Sequence, residues 1–399
     1  MKIVQINSVC GIGSTGKICV GISKCLNKKD VENYILYNRG ESNYKNAIKC
    51  SERFIKIQSL FSRIKGNFGF NSNRSTTKLI NELEQIHPDI VHLHNLHSHN
   101  CNLERLILYL KMKKIAVIWT FHDCWGITAY CPHYVMANCY QWTNSCYQCP
   151  EFRKYSWFID KSKEIYERKK KLLTDINLNI VVPSNWLKKQ VKQSFLKACS
   201  THVIYNGIDL NIFKPTSSDF KRSYNIPKEK YIILGVAIEW NRRKGPDVFI
   251  RLAKEMPVDN YQIVLVGTNE KLERQLPDNI IAIRRTSDQR ELAEIYTSAN
   301  IFVNPTREDT FPTVNLEANA CGTPVLTFDT GGSPECIDET SGSVVPCDDY
   351  ESLKKEIIRI CTTKPYSSEA CVKRAQQFAE ESRYQEYIEL YKEIYNQGK

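Results

Sequence analysis

No stretch of this chain approaches the ~18 to 20 consecutive apolar residues that a membrane-spanning helix needs, so an integral membrane protein is not expected. Internal repeats and low-complexity segments are missing too, which excludes solenoids and disordered tails. The opening MKIVQINSV reads as a buried strand, not a basic-then-apolar leader, so no signal peptide is expected. Without an export signal, the 16 cysteines scattered through helix- and strand-like segments are expected to be reduced thiols in a cytoplasmic protein. What remains is ordinary globular composition, 42% hydrophobic and 25% charged. At 399 residues the chain is too long for one ordinary domain, and two domains of roughly 150 to 200 residues are expected.

The formal charge of +11 points to an anionic partner. Residues 53–68 narrow the choice. Phe54, Ile57, Phe61, Ile64 and Phe68 recur at helical spacing, flanked by Arg53, Lys56, Arg63 and Lys65. Such a basic amphipathic helix either lies on an anionic membrane surface, at the inner face of the cell membrane, or packs on the core with its polar side wet.

Apolar strand-like runs at 2–6, 34–37, 89–93, 115–120 and 178–182 alternate with helix-length segments. The pattern restarts at 231–236, 262–266, 280–283, 300–303 and 323–328. Two such series predict an α/β protein with two doubly wound parallel sheets, the break falling near 184–215. A last helix near 384–396 has no strand after it and is expected to pack back on the first domain.

Residues 304–335, NPTREDTFPTVNLEANACGTPVLTFDTGGSPE, are the densest signal. Asp309 falls just past a strand, and Glu317 sits on a helix opened by Pro312 and Thr313 and closed by Gly322. In a parallel sheet, ligands bind at the carboxyl ends of strands, facing helix N-termini that favour anions. Two carboxylates and a positive helix end suit a ligand with both hydroxyls and phosphates.

This stretch resembles the acidic motif of family-4 glycosyltransferases, Glu, seven residues, Glu, followed by Cys-Gly-x-Pro-Val. Cys321, Gly322, Thr323, Pro324 and Val325 match that strand entry, and Gly331, Gly332, Pro334 and Glu335 match the loop after it. The first glutamate register holds Asp309, with Glu308 beside it as a substitute. Asn206, Gly207, Ile208 and Asp209, then Phe213 and Pro215, match the family's entry into its second domain. The resemblance implies the GT-B fold, two Rossmann-like domains facing a central cleft. Here those are residues 1–200, an acceptor-side domain with a cysteine-rich insertion at 124–150, then 201–380, a nucleotide-sugar domain, then 381–399, a helix crossing back.

The resemblance also assigns roles. Glu317 would accept from the donor's ribose hydroxyls, Asp309 or Glu308 would bind the sugar and stabilise its cationic centre, and Thr313 would contact the donor. Residues 283–288 would meet the base. Lys244, with Arg242 or Arg243, would hold the diphosphate. Glu239 lies near the register of the family's usual upstream arginine, so one of these two must substitute. Fixed cations aimed at a leaving diphosphate stabilise the transition state more than the ground state. Asp-x-Asp, which holds a metal on the diphosphate in glycosyltransferases of the other major fold, is absent. Metal-independent transfer, with no cofactor required for catalysis, is therefore expected.

Gly11–Lys17 (GIGSTGK) stops one residue short of a magnesium-binding P-loop, because Ile18 stands where Ser or Thr must ligate the ion. By resemblance it is the first domain's glycine loop, with Gly13 near the donor phosphates or the acceptor. His122 ends a strand where the family often carries a functional histidine, and Asp123 could orient its ring. His92, His94, His97 and His99 form a second cluster, read as a cleft lining or acceptor contact. Cys131, Cys139, Cys146 and Cys149 are spaced by seven, six and two residues, and only the last pair has the knuckle typical of zinc sites. A structural zinc is one reading; unligated or redox-active thiols are the other.

The expected activity is retaining transfer of a sugar, from a UDP- or GDP-linked donor, to a hydroxyl of a glycan acceptor. A lipid-linked acceptor in cell-surface polysaccharide synthesis fits the family, and nucleic acid is not an expected partner. The alternatives are transfer to a small soluble acceptor, or a non-catalytic basic binding protein.

Overall fold

The computed structural model describes residues 1–50, 55–97 and 101–398. The chain divides into two compact units, the first comprising Met1–Tyr205 with the residues from Glu381 on, the second Asn206–Glu380.

In the first unit the described strands are β1 (Lys2–Ile6), β2 (Glu32–Tyr37), β3 (Ala47–Lys49), β4 (Ile90–Leu93), β5 (Ala116–Thr120), β6 (Leu178–Val182) and β7 (Ser200–Val203). They form one parallel sheet in the order β3-β2-β1-β4-β5-β6-β7. Strand alternation explains why these runs are apolar throughout, since each face of a parallel sheet is covered. Val4, Ile6, Val91, Leu93, Val117 and Trp119 face one core cluster. Ile3, Ile90, Ile118 and Val181 face the other, where Ile18 and Ile22 of helix Gly13–Asn27 meet Tyr384, Tyr387, Ile388 and Tyr391 of the last helix, Glu380–Gln397. Ile18 is thus a core residue, which gives a packing reason for an apolar side chain at the position where a P-loop places its metal ligand.

The second unit holds β8 (Tyr231–Val236), β9 (Tyr261–Val266), β10 (Ile280–Ile283), β11 (Ile301–Asn304), β12 (Val325–Asp329) and β13 (Gly342–Pro346). Their order is β10-β9-β8-β11-β12-β13, all parallel. The ends of this unit are tied together, Ile208 N–H donating to Phe378 O at 2.9 Å and Glu380 N–H to Ile208 O at 3.0 Å.

Both sheets reverse their winding once, between β1 and β4 and between β8 and β11. Such switch points splay the two following loops apart and leave a crevice at the carboxyl ends of the strands. The glycine loop after β1, the basic turn after β8 and the acidic turn after β11 lie at these points.

Candidate functional site

In the second unit, β8 leads to a short turn, Arg242–Lys244, ahead of helix Pro246–Glu255. The Asn241 side chain caps the turn through Arg243 N–H at 3.1 Å. Gly245 closes it at φ +70°, and a Cβ there would stand 2.5 Å from Pro305 O. Only glycine combines that backbone with that approach. The turn therefore sits against the chain leaving β11, the neighbouring strand across the switch point.

Arg307 latches the two loops. Its guanidinium donates to Arg242 O at 2.7 Å, pairs bidentately with Asp247 at 2.7 and 2.9 Å, and reaches Asp348 at 2.7 Å. Arg307 N–H donates to Arg243 O at 2.8 Å. The planar fork of arginine suits such a multi-point anchor.

With the loops joined, Lys244 Nζ lies 2.5 Å from Asp309 Oδ2. Arg243 Nη1 lies 3.6 Å from the same oxygen and donates to Glu308 O at 2.7 Å. Asp309 is partly exposed, whereas Glu308 is buried at 2% exposure, so the carboxylate on the cations is Asp309's. Gly331 and Gly332 buttress it from β12. Gly332 N–H donates to Asp309 O at 3.0 Å, and at Gly331, φ +57°, a Cβ would fall 1.9 Å from that carbonyl. Any side chain at 331 must displace Asp309.

Helix Thr313–Ala320 follows, with Thr313 as its first residue after Pro312. Glu317 lies a turn in, and its Oε2 accepts from Tyr296 Oη at 3.1 Å. Burial, then the Glu317 carboxylate, push the Tyr296 phenol well up, so it stays a hydrogen-bond donor. Ile283 O, in the segment expected near a base, accepts from Gly267 and Thr268 N–H at 2.8 and 3.2 Å.

The second unit thus brings Arg243, Lys244, Asp309 and Glu308 together, with Arg242 in the same turn and Thr313 and Glu317 on the next helix. Arg307, Asp247 and Tyr296 were missed by sequence reasoning.

In the first unit, Gly11 and Gly13 take φ +72° and +63° in the loop after β1, and helix Gly13–Asn27 begins with exposed Gly13 and Ser14. Asn7 ties this loop to the one after β4, accepting from Asn95 N–H at 3.1 Å and donating to Thr15 at 3.3 Å.

The histidines need correction. His92 and His94 are 0% and 1% exposed, so His92 lines no open cleft, and His94 borders only a small cavity of about 10 Å³ shared with His97, His122 and Asp123. His92 bridges Tyr391 Oη (2.6 Å) and Thr120 Oγ1 (2.7 Å), and His94 joins Gln5 (3.1 Å) to His122 Nε2 (3.1 Å). They are core crosslinks. Asp123 accepts from His97 Nε2 at 2.8 Å and Trp125 N–H at 2.9 Å. It is therefore His97, overlooked in this role, whose ring Asp123 holds. His99 lies outside the described residues. Burial is the main reason the His122 pKa falls to about 4, so its ring is neutral at pH 7 and offers hydrogen bonds, not charge.

Cys131, Cys139, Cys146 and Cys149 all line one small cavity, of about 10 Å³, in the irregular segment after His122. Among the described residues, however, no three His, Cys, Asp or Glu side chains already form an array that could hold a metal ion.

Of the basic helix, residues Ile55–Lys65 are helical; Arg53 and Phe54 lie outside the described residues, as does the Lys56 side chain. Ile57, Leu60, Phe61 and Ile64 point outward, Phe61 being 52% exposed, while Phe68 is buried beyond the helix end. Trp157, Phe158 and Ile159 lie in the adjoining loop, held by Trp157 N–H on Arg63 O at 2.8 Å, and Phe158 is 71% exposed. Among the described residues no helix is long and apolar enough to cross a membrane.

Comparison with known proteins agrees with this architecture. Residues 16–212 match the model of Glycosyltransferase Family 4, and residues 217–383 match that of Glycosyl transferases group 1. The Escherichia coli K12 glycosyl transferase WcaC, named for colanic acid biosynthesis, is 22% identical over 368 residues, 86% of this chain and 87% of its own. Sucrose-phosphate synthase from Thermosynechococcus elongatus superposes with a TM-score of 0.74 at 19% identity, covering 99% of both chains. HepE from Anabaena, solved with UDP-glucose, gives 0.68 at 14% identity over 98% of this chain and 100% of its own. The two matched models leave few residues of the chain unaccounted for, and the superpositions cover nearly all of it: the chain belongs to the family-4 glycosyltransferases and has the GT-B fold.

Proposed function

We propose that this enzyme is a retaining, metal-independent hexosyltransferase. It moves a sugar from a UDP- or GDP-linked donor to a hydroxyl of a lipid-linked glycan during cell-surface polysaccharide assembly. The observation carrying this reading is the Lys244–Asp309 contact at the switch point of the second sheet, with Glu317 on the following helix. A UDP-glucose complex among the structural neighbours and a relative named for colanic acid biosynthesis support the donor class and the pathway type.

As the glycosidic bond breaks, charge gathers on the departing diphosphate. Lys244, with Arg242 or Arg243, meets that charge, so its contacts strengthen toward the transition state. Asp309 accepts from the sugar hydroxyls and opposes the positive charge growing at the anomeric carbon. Glu317, steadied by Tyr296, accepts from the ribose. Attack from the face the leaving group departs from, with a phosphate oxygen taking the acceptor proton, gives retention. Neutral His122 supplies a hydrogen bond on the acceptor side. Because lysine and arginine supply the countercharge, no divalent ion is needed on the diphosphate.

Glu317→Gln removes charge-assisted hydrogen bonds of roughly 1.5 to 3 kcal/mol, about 10- to 150-fold in donor affinity. Calorimetry with UDP- and GDP-sugars reads this directly. Parental affinity in the variant rules out the ribose contact.

The exposed row Ile57, Leu60, Phe61 and Ile64, continued by Trp157 and Phe158 and rimmed by Arg63, Lys65 and Arg153, suits an anionic lipid surface. Each basic residue near such a surface contributes about 1 kcal/mol. Arg63→Glu with Lys65→Glu is then expected to weaken co-sedimentation with phosphatidylglycerol vesicles by roughly 30-fold or more. Unchanged sedimentation removes the membrane from the proposal.

A further inference from the structure

We infer that Cys131, Cys139, Cys146 and Cys149 form a structural site for one zinc ion, independently of the donor chemistry above. Residues 121–161 contain little regular structure, only the short turns Cys124–Gly126, Gln141–Thr143 and Phe152–Lys154. The segment nevertheless buries Trp125, Tyr130, Tyr134 and Trp142 almost completely. A segment that orders large side chains without a helix or strand ladder needs another crosslink.

All four cysteines line one cavity of about 10 Å³, the space a single water or small ion occupies. The Cys131 and Cys149 thiols already touch; Cys139 and Cys146 lie within electrostatic reach of Cys131, and Cys146 also of Cys149. No pair is joined as a disulfide. Backbone amides serve two of the sulfurs, Ala129 N–H donating to Cys146 Sγ and Glu151 N–H to Cys149 Sγ. Amide donors to sulfur stabilise thiolates, the form in which cysteine binds metal. Trp142, lining the same cavity, leaves its buried Nε1–H without an acceptor among the described residues, and a metal-bound thiolate would provide one.

Charge points the same way. Lys169 is fully buried, its Nζ donating to Trp125 O at 2.7 Å and Thr128 O at 3.0 Å and lying 3.5 Å from the Trp125 ring centre. Cys131 and Cys146 lie within its electrostatic reach. Burial pushes the Lys169 pKa well down, with Cys146, Asp123 and Cys131 opposing that shift; four thiolates around a dication would carry a net double negative charge and favour the ammonium form.

Zinc fits the ligand set, since it takes four thiolates tetrahedrally and a C-x-x-C pair commonly supplies two of them. The backbone is fixed at two of the four positions. Cys149 N–H donates to Asp160 at 2.7 Å, and Thr128 Oγ1 to Cys131 O at 2.6 Å. The ion would hold Trp125 in place, and through it Asp123 and His97 beside His122.

The test is elemental analysis of the full-length protein, purified without chelator and with thiols reduced. About one zinc per chain is expected, lost in Cys146→Ser/Cys149→Ser and retained in Cys347→Ser, whose thiol is exposed elsewhere. Cobalt added to the apoprotein is expected to give intense sulfur-to-metal charge-transfer bands. Less than about 0.1 zinc per chain, both as purified and after incubation of reduced protein with zinc chloride, overturns the inference. So does zinc retained by the double variant, or an intact mass showing these cysteines paired as disulfides.

Discussion

Replacing Lys244 by alanine is expected to lower turnover at saturating donor by about 10²- to 10³-fold, the loss seen when a preorganised group facing developing negative charge is removed. The reason is geometric as well as electrostatic. Lys244 sits on a turn held by the Asn241 cap, by Gly245 against Pro305 and by the Arg307 latch, so its ammonium is placed before the reaction begins. Its contact with Asp309 keeps it beside the acid assigned to the sugar. In the parent that acid has both Lys244 and, at 3.6 Å, Arg243; the variant loses the shorter of these two contacts. Donor affinity is therefore expected to fall along with turnover. Lys244→Arg is expected to recover only part of the rate, since a planar fork on a longer stem does not reproduce a compact ammonium. If turnover with saturating UDP- or GDP-sugar matches the parent, Lys244 does not act on the leaving group.

The second large effect is on stability. Tyr391, wholly buried in the last helix, packs among Ile3, Ile90 and Ile118 and hydrogen-bonds His92. Tyr391→Ala is expected to cost about 3 to 5 kcal/mol for the lost aromatic packing, with roughly 1 to 3 kcal/mol more for an orphaned His92 nitrogen. For a unit of this size, melting should fall by on the order of 10 °C or more. Tyr391→Phe keeps the ring and is expected to lose only the hydrogen-bond share. The comparison separates packing from polarity. A Tyr391→Ala protein melting within about 2 °C of the parent would show that this helix contributes little to the first unit's core.

How much of this was legible in the chain depended on burial. Strands β1, β4, β5, β6 and β8 to β12 are apolar runs because nearly all lie between two neighbours and under helices on both faces. β3, β7 and β13 were not anticipated: AIK, STHV and GSVVP are edge strands, with one partner each and half-exposed residues. An edge demands less hydrophobicity, so it leaves less trace. The acidic motif was readable because its turn, helix cap and glycine loop are local in sequence. The latch was not, because Arg307 meets Asp247 and Asp348 at separations of 60 and 41 residues. The histidines misled for the same reason. The spacing puts His92 and His94 on one strand face, but only the distant Tyr391 and Gln5 show what they meet there.

Because the first unit takes a helix from residues that follow the second unit, synthesis order and assembly order differ. A nascent chain emerging through residue 380 has everything the second unit contains, while the first still lacks a layer over one side of its sheet. Premature stops past that point would spare the later-made half and cripple the earlier one. Helix Glu380–Gln397 thus makes the N-terminal fold wait on residues synthesised after the whole second unit.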